Sequence, residues 1–251
     1  MSKIQVKDVN GVRVLILNRP EKRNAIDLEM YTQLTEYLIQ GNSDNDIRAF
    51  MIRGQVDCFT AGNDLKDFLK HTDIDPQHPA FRFLFTLLDI TKPIVAAVAG
   101  AAVGIGTTLL LHCDLVYADK SAKFQLPFVH LALVPEAASS LLLSQIVGPQ
   151  KAAELLLLGD SFDTEAAHKL NIINEILPSE TLFDFAFTQA SKLASMPPQA
   201  MQASRRLMRS NNDAIRAQMH AELEEFSTRL KSDEAKTRFH AFLNKKNRKQ
   251  A

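Results

Sequence analysis

Two glycine turns carry the residues of this sequence that are best placed to do chemistry. The first is Phe59-Thr60-Ala61-Gly62-Asn63-Asp64-Leu65, and the second, residues 100–108, contains Gly104-Ile105-Gly106. Each turn follows a strand-like run and precedes a helix-like one. The first N–H groups of a helix have no partner inside it, so they can hold negative charge. Either turn alone is more simply explained as an ordinary strand-to-helix connection, because glycine is the usual turn residue.

Other kinds of reactive site lack the residues or spacing that they need. Gly104-Ile105-Gly106 has no third glycine at the dinucleotide-binding spacing, and no phosphate-binding loop follows it. No two histidines have the spacing of a zinc site. Ser139 and Ser140 have no nucleophile elbow around them, which argues against a serine hydrolase. Cys58 and Cys113 show neither metal-binding nor disulfide spacing, as is typical of a reducing compartment.

The composition is that of a globular protein without a nucleic-acid or membrane partner. Of its 251 residues, 46% are hydrophobic and 23% are charged, with 29 basic and 29 acidic side chains. A net charge of zero leaves no basic surplus for a phosphate backbone. Residues 93–111 are uncharged, but three glycines and two threonines among them favour a strand, a turn and a buried helix over a membrane span. The first residues lack a secretory pattern, so we expect a cytoplasmic protein.

Strands and helices alternate in the first half of the chain. Asn10-Gly11 between residues 4–8 and 12–17 predicts a hairpin, and residues 47–53, 94–98 and 115–118 have the composition of buried strands. Asp27 is placed to cap a helix that follows it. This alternation predicts an α/β protein with parallel pairing.

The second half of the chain, from Glu136 onward, is expected to be mostly helical. Pro197-Pro198 marks a joint, since proline is tolerated at a helix start but not inside a helix. We therefore divide the chain into a core, residues 1–195, and a helical C-terminal region, residues 196–251. An apolar stripe in that region has helical spacing, so the region should pack on the core or on a neighbouring subunit. The stripe consists of Ile215, Met219, Leu223 and Phe226.

Five segments, taken in order, resemble the enoyl-CoA hydratase/isomerase, or crotonase, superfamily over nearly the whole chain. They are residues 19–25 (Arg-Pro-Glu-Lys-Arg-Asn-Ala), the two glycine turns, residues 113–118 (Cys-Asp-Leu-Val-Tyr-Ala), and the tail from residues 232–235 to 239–243. The resemblance implies a crotonase-like spiral of ββα units followed by a helical trimerisation region. It also implies an acyl-CoA thioester as substrate, a homotrimer or dimer of trimers, and no cofactor or metal beyond the CoA of the substrate.

The resemblance assigns roles to residues of both turns. Members of the family stabilise a thioester enolate with two backbone N–H groups, which correspond here to those of Asn63 and Ile105. Loss of one such donor costs an acyl-transfer enzyme about 3 kcal/mol of barrier. Residues that correspond to the lining of the substrate channel are Arg23, Ala25, Ala61, Asp64, Leu65 and Phe128. Arg23 is equally consistent with a solvated loop charge, because arginine suits phosphate but also any surface.

The acid–base residue distinguishes the branches of this family. Hydratases use two glutamates, and their places are taken here by Thr108 and Phe128, neither of which transfers a proton at neutral pH. Glu136 instead lies in Pro135-Glu136-Ala137-Ala138-Ser139-Ser140, which resembles the segment that holds the catalytic base of peroxisomal-type Δ3,Δ2-enoyl-CoA isomerases. By itself, Glu136 could simply be an acidic residue in the first turn of a helix. Apolar neighbours such as Phe128 would raise its pKa by desolvation.

These observations predict an enzyme that moves the double bond of a 3-enoyl-CoA to the 2-position, with Glu136 as the base. Two alternatives stay open. One is an enoyl-CoA hydratase, or another crotonase reaction, with an atypical acid or base. The other is a catalytically silent acyl-CoA-binding or scaffold protein that keeps the fold.

Overall fold

The structure is a computed structural model, and it describes residues 2–70 and 73–248. Its larger sheet has six strands in the order β1-β2-β3-β5-β7-β10. β1 and β2 form an antiparallel hairpin, and the other neighbours in this sheet are parallel. The six strands are β1 (Ile4–Val9), β2 (Val12–Leu17), β3 (Ala49–Arg53), β5 (Ile94–Val98), β7 (Leu115–Asp119) and β10 (Glu175–Leu177).

A second sheet of four short strands packs beside the first, in the order β4-β6-β8-β9. Its pairs are parallel except for the last one, β8 with β9. The strands are β4 (Cys58–Thr60), β6 (Ala101–Val103), β8 (Lys123–Gln125) and β9 (Phe162–Asp163). The sequence did not predict this sheet, because strands of two or three residues are too short to show a period.

Eleven α-helices occur within the described residues. They are α1 (Leu28–Ser43), α2 (Leu65–Lys70), α3 (Pro79–Asp89), α4 (Ile105–Thr108), α5 (Ser139–Val147), α6 (Pro149–Ala153), α7 (Thr164–Lys169), α8 (Leu182–Ser195), α9 (Pro198–Met208), α10 (Asn212–Leu230) and α11 (Asp233–Arg248). Helix α8 covers one face of the large sheet, and the main core lies on the other face.

Local chemistry explains several of these elements as expected. Asn10 and Gly11 have φ of 52° and 76°, the left-handed values that a two-residue hairpin turn requires. The Asp27 carboxylate accepts the backbone N–H of Met30 at 2.9 Å and so caps α1. The hairpin and this cap were both predicted correctly. The α/β class with parallel pairing was also correct.

Two expectations about element boundaries were wrong in detail. The strand expected over residues 47–53 begins only at Ala49. The helix expected up to His112 is a single α-turn followed by a tighter 3-10 turn, Leu109–His112. Its small and β-branched residues, Gly106, Thr107 and Thr108, have low helix propensity and do not sustain a longer α-helix.

The second half is mostly helical, as predicted, although it also contributes β9 and β10. The apolar stripe of α10 is buried at all four of its positions, and this helix contacts α3 and α5. Arg205 of α9 binds the Asp114 carboxylate at 2.9 Å, and Arg209 binds the same group at 3.0 Å. These contacts join α9 and α10 to residues 1–195. The described residues contain no helix long and apolar enough to cross a membrane.

Gly100 is the point at which the chain passes from the large sheet to the small one. It follows β5, precedes β6 and has a φ of +64°. A Cβ built on it would lie 1.9 Å from the carbonyl oxygen of Asp57, well inside van der Waals contact. Any side chain here would therefore collide with the backbone that leads into β4.

Gly100→Ala should lower the free energy of unfolding more than Gly148→Ala does. Gly148 also has positive φ, +81°, but a Cβ there meets no atom within 4 Å. Backbone strain should cost about 1–3 kcal/mol in both variants, and the clash should add about 1–3 kcal/mol at Gly100 alone. Urea unfolding midpoints measure the difference. Equal midpoints would show that the sheet junction has room to relax.

Candidate active site

The two glycine turns lie side by side because strands β4 and β6 are parallel neighbours. A Cβ on Gly62 would lie 2.8 Å from the carbonyl oxygen of Val103, in the strand that leads to the second turn. A Cβ on Gly106 would lie 2.6 Å from the Thr60 methyl group, in the strand that leads to the first. Each turn therefore needs its glycine so that the other can approach.

The backbone N–H groups of Asn63 and Ile105 have no hydrogen-bond acceptor among the described residues. On either side of Asn63, Ile26 N–H donates to the Gly62 carbonyl at 2.8 Å and Asp64 N–H donates to the Ile26 carbonyl at 2.9 Å. This alternation directs the Asn63 N–H away from Ile26. Ile105 is the first residue of α4, where no earlier turn can accept its N–H.

The side chain of Asn63 is held by Tyr31 of α1. The buried Tyr31 hydroxyl donates a short hydrogen bond to the Asn63 side-chain oxygen, Oδ1. Sequence analysis missed Tyr31, which stands among the apolar residues of the helix. The available signal was that a buried tyrosine needs a partner for its hydroxyl.

Glu136 is a buried carboxylic acid, with 4% of its surface exposed. It lies before α5, which begins at Ser139, so its position is not that of an acidic residue in a first helical turn. The Thr108 hydroxyl donates to Glu136 Oε1 at 2.5 Å. Burial raises the pKa of Glu136 to about 8; the Thr108 hydrogen bond opposes this shift, and the negative charge of Glu222 adds to it.

Contacts of α1 and α4 place Asn63, Ile105 and Glu136 in one region. Thr108, which binds Glu136, is the last residue of the helical turn that Ile105 begins. Tyr31, which binds Asn63, also interacts electrostatically with Glu136. Burial, with the charge of Glu136 as a further cause, raises the pKa of Tyr31 well above its ordinary value. The arrangement thus combines two unpaired N–H groups with a carboxyl group of near-neutral pKa.

The residues expected along the substrate channel have different environments. Arg23 is exposed and has a left-handed backbone, with φ of 53°. Asp64 is half-buried and pairs with Arg19 at 2.9 Å, and its other oxygen accepts the N–H of Lys66 at 3.2 Å. The remaining four are apolar: Ala25 and Phe128 are buried, and Ala61 and Leu65 are half-buried.

His112 is a structural histidine within the described core. Its ring is buried, and Nε2 donates to the carbonyl of Ala137 at 2.8 Å. Desolvation lowers its pKa to about 4, so the ring is neutral at neutral pH. Among the described residues no group of three or more His, Cys, Asp or Glu side chains could hold a metal ion.

Residues 7–250 match the family model described as enoyl-CoA hydratase/isomerase. The chain belongs to the enoyl-CoA hydratase/isomerase, or crotonase, family. This confirms the resemblance that the ordered motifs indicated.

Individual crotonase proteins of different reported activity are similar to this chain. It is 34% identical to rat (Rattus norvegicus) enoyl-CoA delta isomerase 2 over 91% of this chain and 59% of that protein. It is 31% identical to the 2,3-dehydroadipyl-CoA hydratase of Escherichia coli (strain K12), over 98% of this chain and 97% of that protein. The chain therefore spans about three fifths of the rat isomerase but nearly all of the bacterial hydratase.

A solved crotonase structure confirms the fold. The enoyl-CoA hydratase/isomerase of Pseudoalteromonas atlantica T6c superposes with a TM-score of 0.92 at 40% identity, covering 97% of this chain and 98% of that one. The expected crotonase-like α/β fold is therefore correct.

Glu136→Gln should change how the stability of this crotonase depends on pH. The pKa of Glu136 is about 8 in the folded state and near 4.5 when exposed. Between these values the folded protein retains a proton that the unfolded chain releases, so the free energy of unfolding falls as pH rises, by about 1.4 kcal/mol per unit. The Gln variant has no carboxyl group at this position, so its free energy of unfolding does not fall with pH for this reason.

Chemical denaturation at pH 5, 6, 7 and 8 measures the effect. The difference in unfolding free energy between the variant and the unsubstituted protein should shift in favour of the variant as pH rises. Glu180→Gln, which removes one charge from the exposed surface, is the matched control. A difference that is constant across this range would contradict the raised pKa.

Proposed function

We propose that this crotonase is a Δ3,Δ2-enoyl-CoA isomerase in which Glu136 carries the proton. The observation that supports this most directly is the buried Glu136 carboxyl group. It is bound to the helical turn whose first N–H, that of Ile105, is unpaired. Thr108 and Phe128 occupy the two places at which the resemblance puts the hydratase glutamates.

The proposed reaction begins with the thioester oxygen of a 3-enoyl-CoA between the N–H groups of Asn63 and Ile105. These donors stabilise negative charge on that oxygen, which makes the proton on carbon 2 more acidic. Glu136 takes this proton, and the electron pair delocalises as a dienolate over the thioester and the former 3,4 double bond. The same carboxyl group then gives the proton to carbon 4, which leaves the double bond between carbons 2 and 3.

One carboxyl group suffices because it is a base in the first step and an acid in the second. This dual role requires a pKa near the working pH. Burial, which raises the pKa of Glu136 to about 8, meets this requirement at neutral pH. The reaction consumes no water and no redox equivalents, so it needs no cofactor beyond the CoA of the substrate.

The substrate would enter along the residues that the family resemblance selects. Arg23, which is exposed, supplies the positive charge for a CoA phosphate. Ala25, Ala61 and Leu65 supply small or apolar surface, and Phe128 the wall near the acyl group. Asp64 contributes by fixing the turn through its Arg19 ion pair, since this charge is already neutralised.

We also propose that the helical C-terminal region, residues 196–251, carries the contacts of a homotrimer or a dimer of trimers. Exposed apolar side chains at the end of α9, Leu207 and Met208, support this proposal. Contiguous exposed apolar groups favour association with a partner surface.

Glu136→Gln should reduce isomerisation of a 3-enoyl-CoA by about 10²- to 10⁴-fold, the usual contribution of a general base. The amide keeps the size of the side chain but cannot accept the proton. Absorbance of the conjugated 2-enoyl thioester measures the rate, and Glu180→Gln is the matched control. Full activity of the Gln variant would show that another group is the base.

Two further measurements separate the alternative functions. Conversion of 2-enoyl-CoA to 3-hydroxyacyl-CoA without isomerisation would make the protein a hydratase with an atypical acid. Tight binding of acyl-CoA by calorimetry, with no turnover of any enoyl-CoA, would make it a silent binding protein.

Ile105→Pro should lower kcat by about 10²- to 10³-fold, because it removes one of the two proposed oxyanion donors. Proline is tolerated at the first position of a helix, which is the position of Ile105 in α4. Ile105→Val trims the same buried side chain but keeps the N–H, and it should retain most of the activity. Thermal unfolding verifies that both variants are folded. Equal kcat in the two variants would exclude this N–H as a donor.

A further inference from the structure

The segment after Glu136 has an unfavourable backbone conformation. Ala137 and Ala138 both lie in the left-handed region, with φ of 63° and 53°. For residues with a Cβ this conformation costs about 1–2 kcal/mol each. Two successive alanines do not adopt it unaided, so surrounding groups must hold this turn in place.

Glu222 of α10 supplies hydrogen bonds from one side of this turn. Its Oε2 accepts the backbone N–H of Ala138 at 2.6 Å, and its Oε1 accepts the N–H of Ser140 at 3.1 Å. The Ser140 hydroxyl also donates to Oε1, and Gln218 donates to that hydroxyl at 2.9 Å. Both oxygens of the buried Glu222 side chain are thus bound to Ala138 and Ser140, through three hydrogen bonds.

His112 binds the same turn at the carbonyl group of Ala137. Its neutral ring donates to the Ala137 carbonyl at 2.8 Å. The turn that carries Glu136 is therefore bound at a carbonyl by residues 1–195 and at two N–H groups by the C-terminal region.

We propose that Glu222 is a positioning residue for Glu136: by holding Ala138 and Ser140, it fixes the left-handed turn that aims the Glu136 carboxyl group. This inference rests on the proposed function of Glu136 as the base. It makes helix α10 part of the acid–base machinery through the turn that follows Glu136. It also explains why a second carboxyl group, that of Glu222, is buried in the same region.

The contacts of Glu222 distinguish this role from two simpler ones. A second base would keep an oxygen free for the substrate, whereas the hydrogen bonds of Glu222 occupy both oxygens. A helix cap for α5 would stabilise the fold but would leave kcat of the folded enzyme unchanged. The charge of Glu222 reaches Glu136, so removal of that charge changes the pH profile as well.

Glu222→Gln is the decisive variant, since its amide nitrogen cannot accept one of the N–H groups. We expect kcat for isomerisation to fall at least about tenfold, with KM changed less than about twofold, because the substrate contacts are intact. The exposed Glu224, two positions along the same helix, provides the control Glu224→Gln, which should retain the original kcat.

The acid limb of the kcat profile should also move to lower pH in Glu222→Gln. The titratable groups that face Glu136 are Tyr31 from α1 and Glu222 from α10, with the Thr108 hydroxyl from α4 beside them. His112, behind the turn, has its pKa lowered to about 4 by burial and is neutral. Burial raises the pKa of Glu222 as well, and its hydrogen bonds from Ser140 and Ala138 oppose that shift. Where Glu222 is ionised, removal of its charge lowers the pKa of Glu136, so the base is ionised at lower pH.

Hydrogen exchange tests the positioning without using activity. The amides of Ala138 and Ser140 should exchange faster in Glu222→Gln than in the unsubstituted protein, while those of the α10 interior should not. If the unsubstituted protein fails to isomerise 3-enoyl-CoA, the proposed function is wrong, and this exchange measurement still decides whether Glu222 holds the turn. Unchanged exchange, or an unchanged kcat and pH limb in an active enzyme, would overturn the inference.

Ser140→Ala provides the same test if Glu222→Gln does not fold. It removes the hydroxyl bond to Glu222 and leaves both backbone N–H bonds in place. The changes in kcat and exchange should be smaller but in the same direction.

Discussion

A carboxylic acid held away from water is the constraint on which the rest of this site depends. An ionised carboxylate buried among apolar groups is costly, and proteins meet that cost either with hydrogen bonds or by retaining the proton. Among the described residues Glu136 has one side-chain donor, the Thr108 hydroxyl, and its pKa rises to about 8. Such a group exchanges a proton near neutral pH, which is the property that the proposed reaction requires.

The backbone of the site depends on the close approach of the two glycine turns. The two glycine turns approach so closely that a Cβ on Gly62 or Gly106 would overlap the neighbouring strand. Within these turns, the N–H groups of Asn63 and Ile105 have no acceptor among the described residues. Tyr31 and Glu222, from helices far apart in sequence, hold the side chain of Asn63 and the turn after Glu136.

Prediction from the sequence succeeded where a signal was local or came as an ordered set. The Asn10-Gly11 hairpin and the Asp27 cap each depend on a few adjacent residues, so their chemistry can be inferred directly. The small sheet could not be found in this way. Its strands have two or three residues, and their pairing is a tertiary contact between segments tens of residues apart. The same holds for Tyr31, whose hydroxyl partner lies 32 positions away.

By itself, the sequence determined the family, the α/β class and the identity of the candidate carboxylate, because these depend on residue types in a fixed order. The sequence also predicted a raised pKa for Glu136, but only the tertiary structure decided which groups bind and surround it. Thr108 counted in the sequence only as the absence of a glutamate, but in the fold its hydroxyl binds Glu136. In the sequence, Glu222 is one acidic residue among several in a charged helix. In the fold it is buried and binds the turn of Ala137 and Ala138. Desolvation and hydrogen bonding between distant segments exist only once the chain is packed, and they set the pKa of the base.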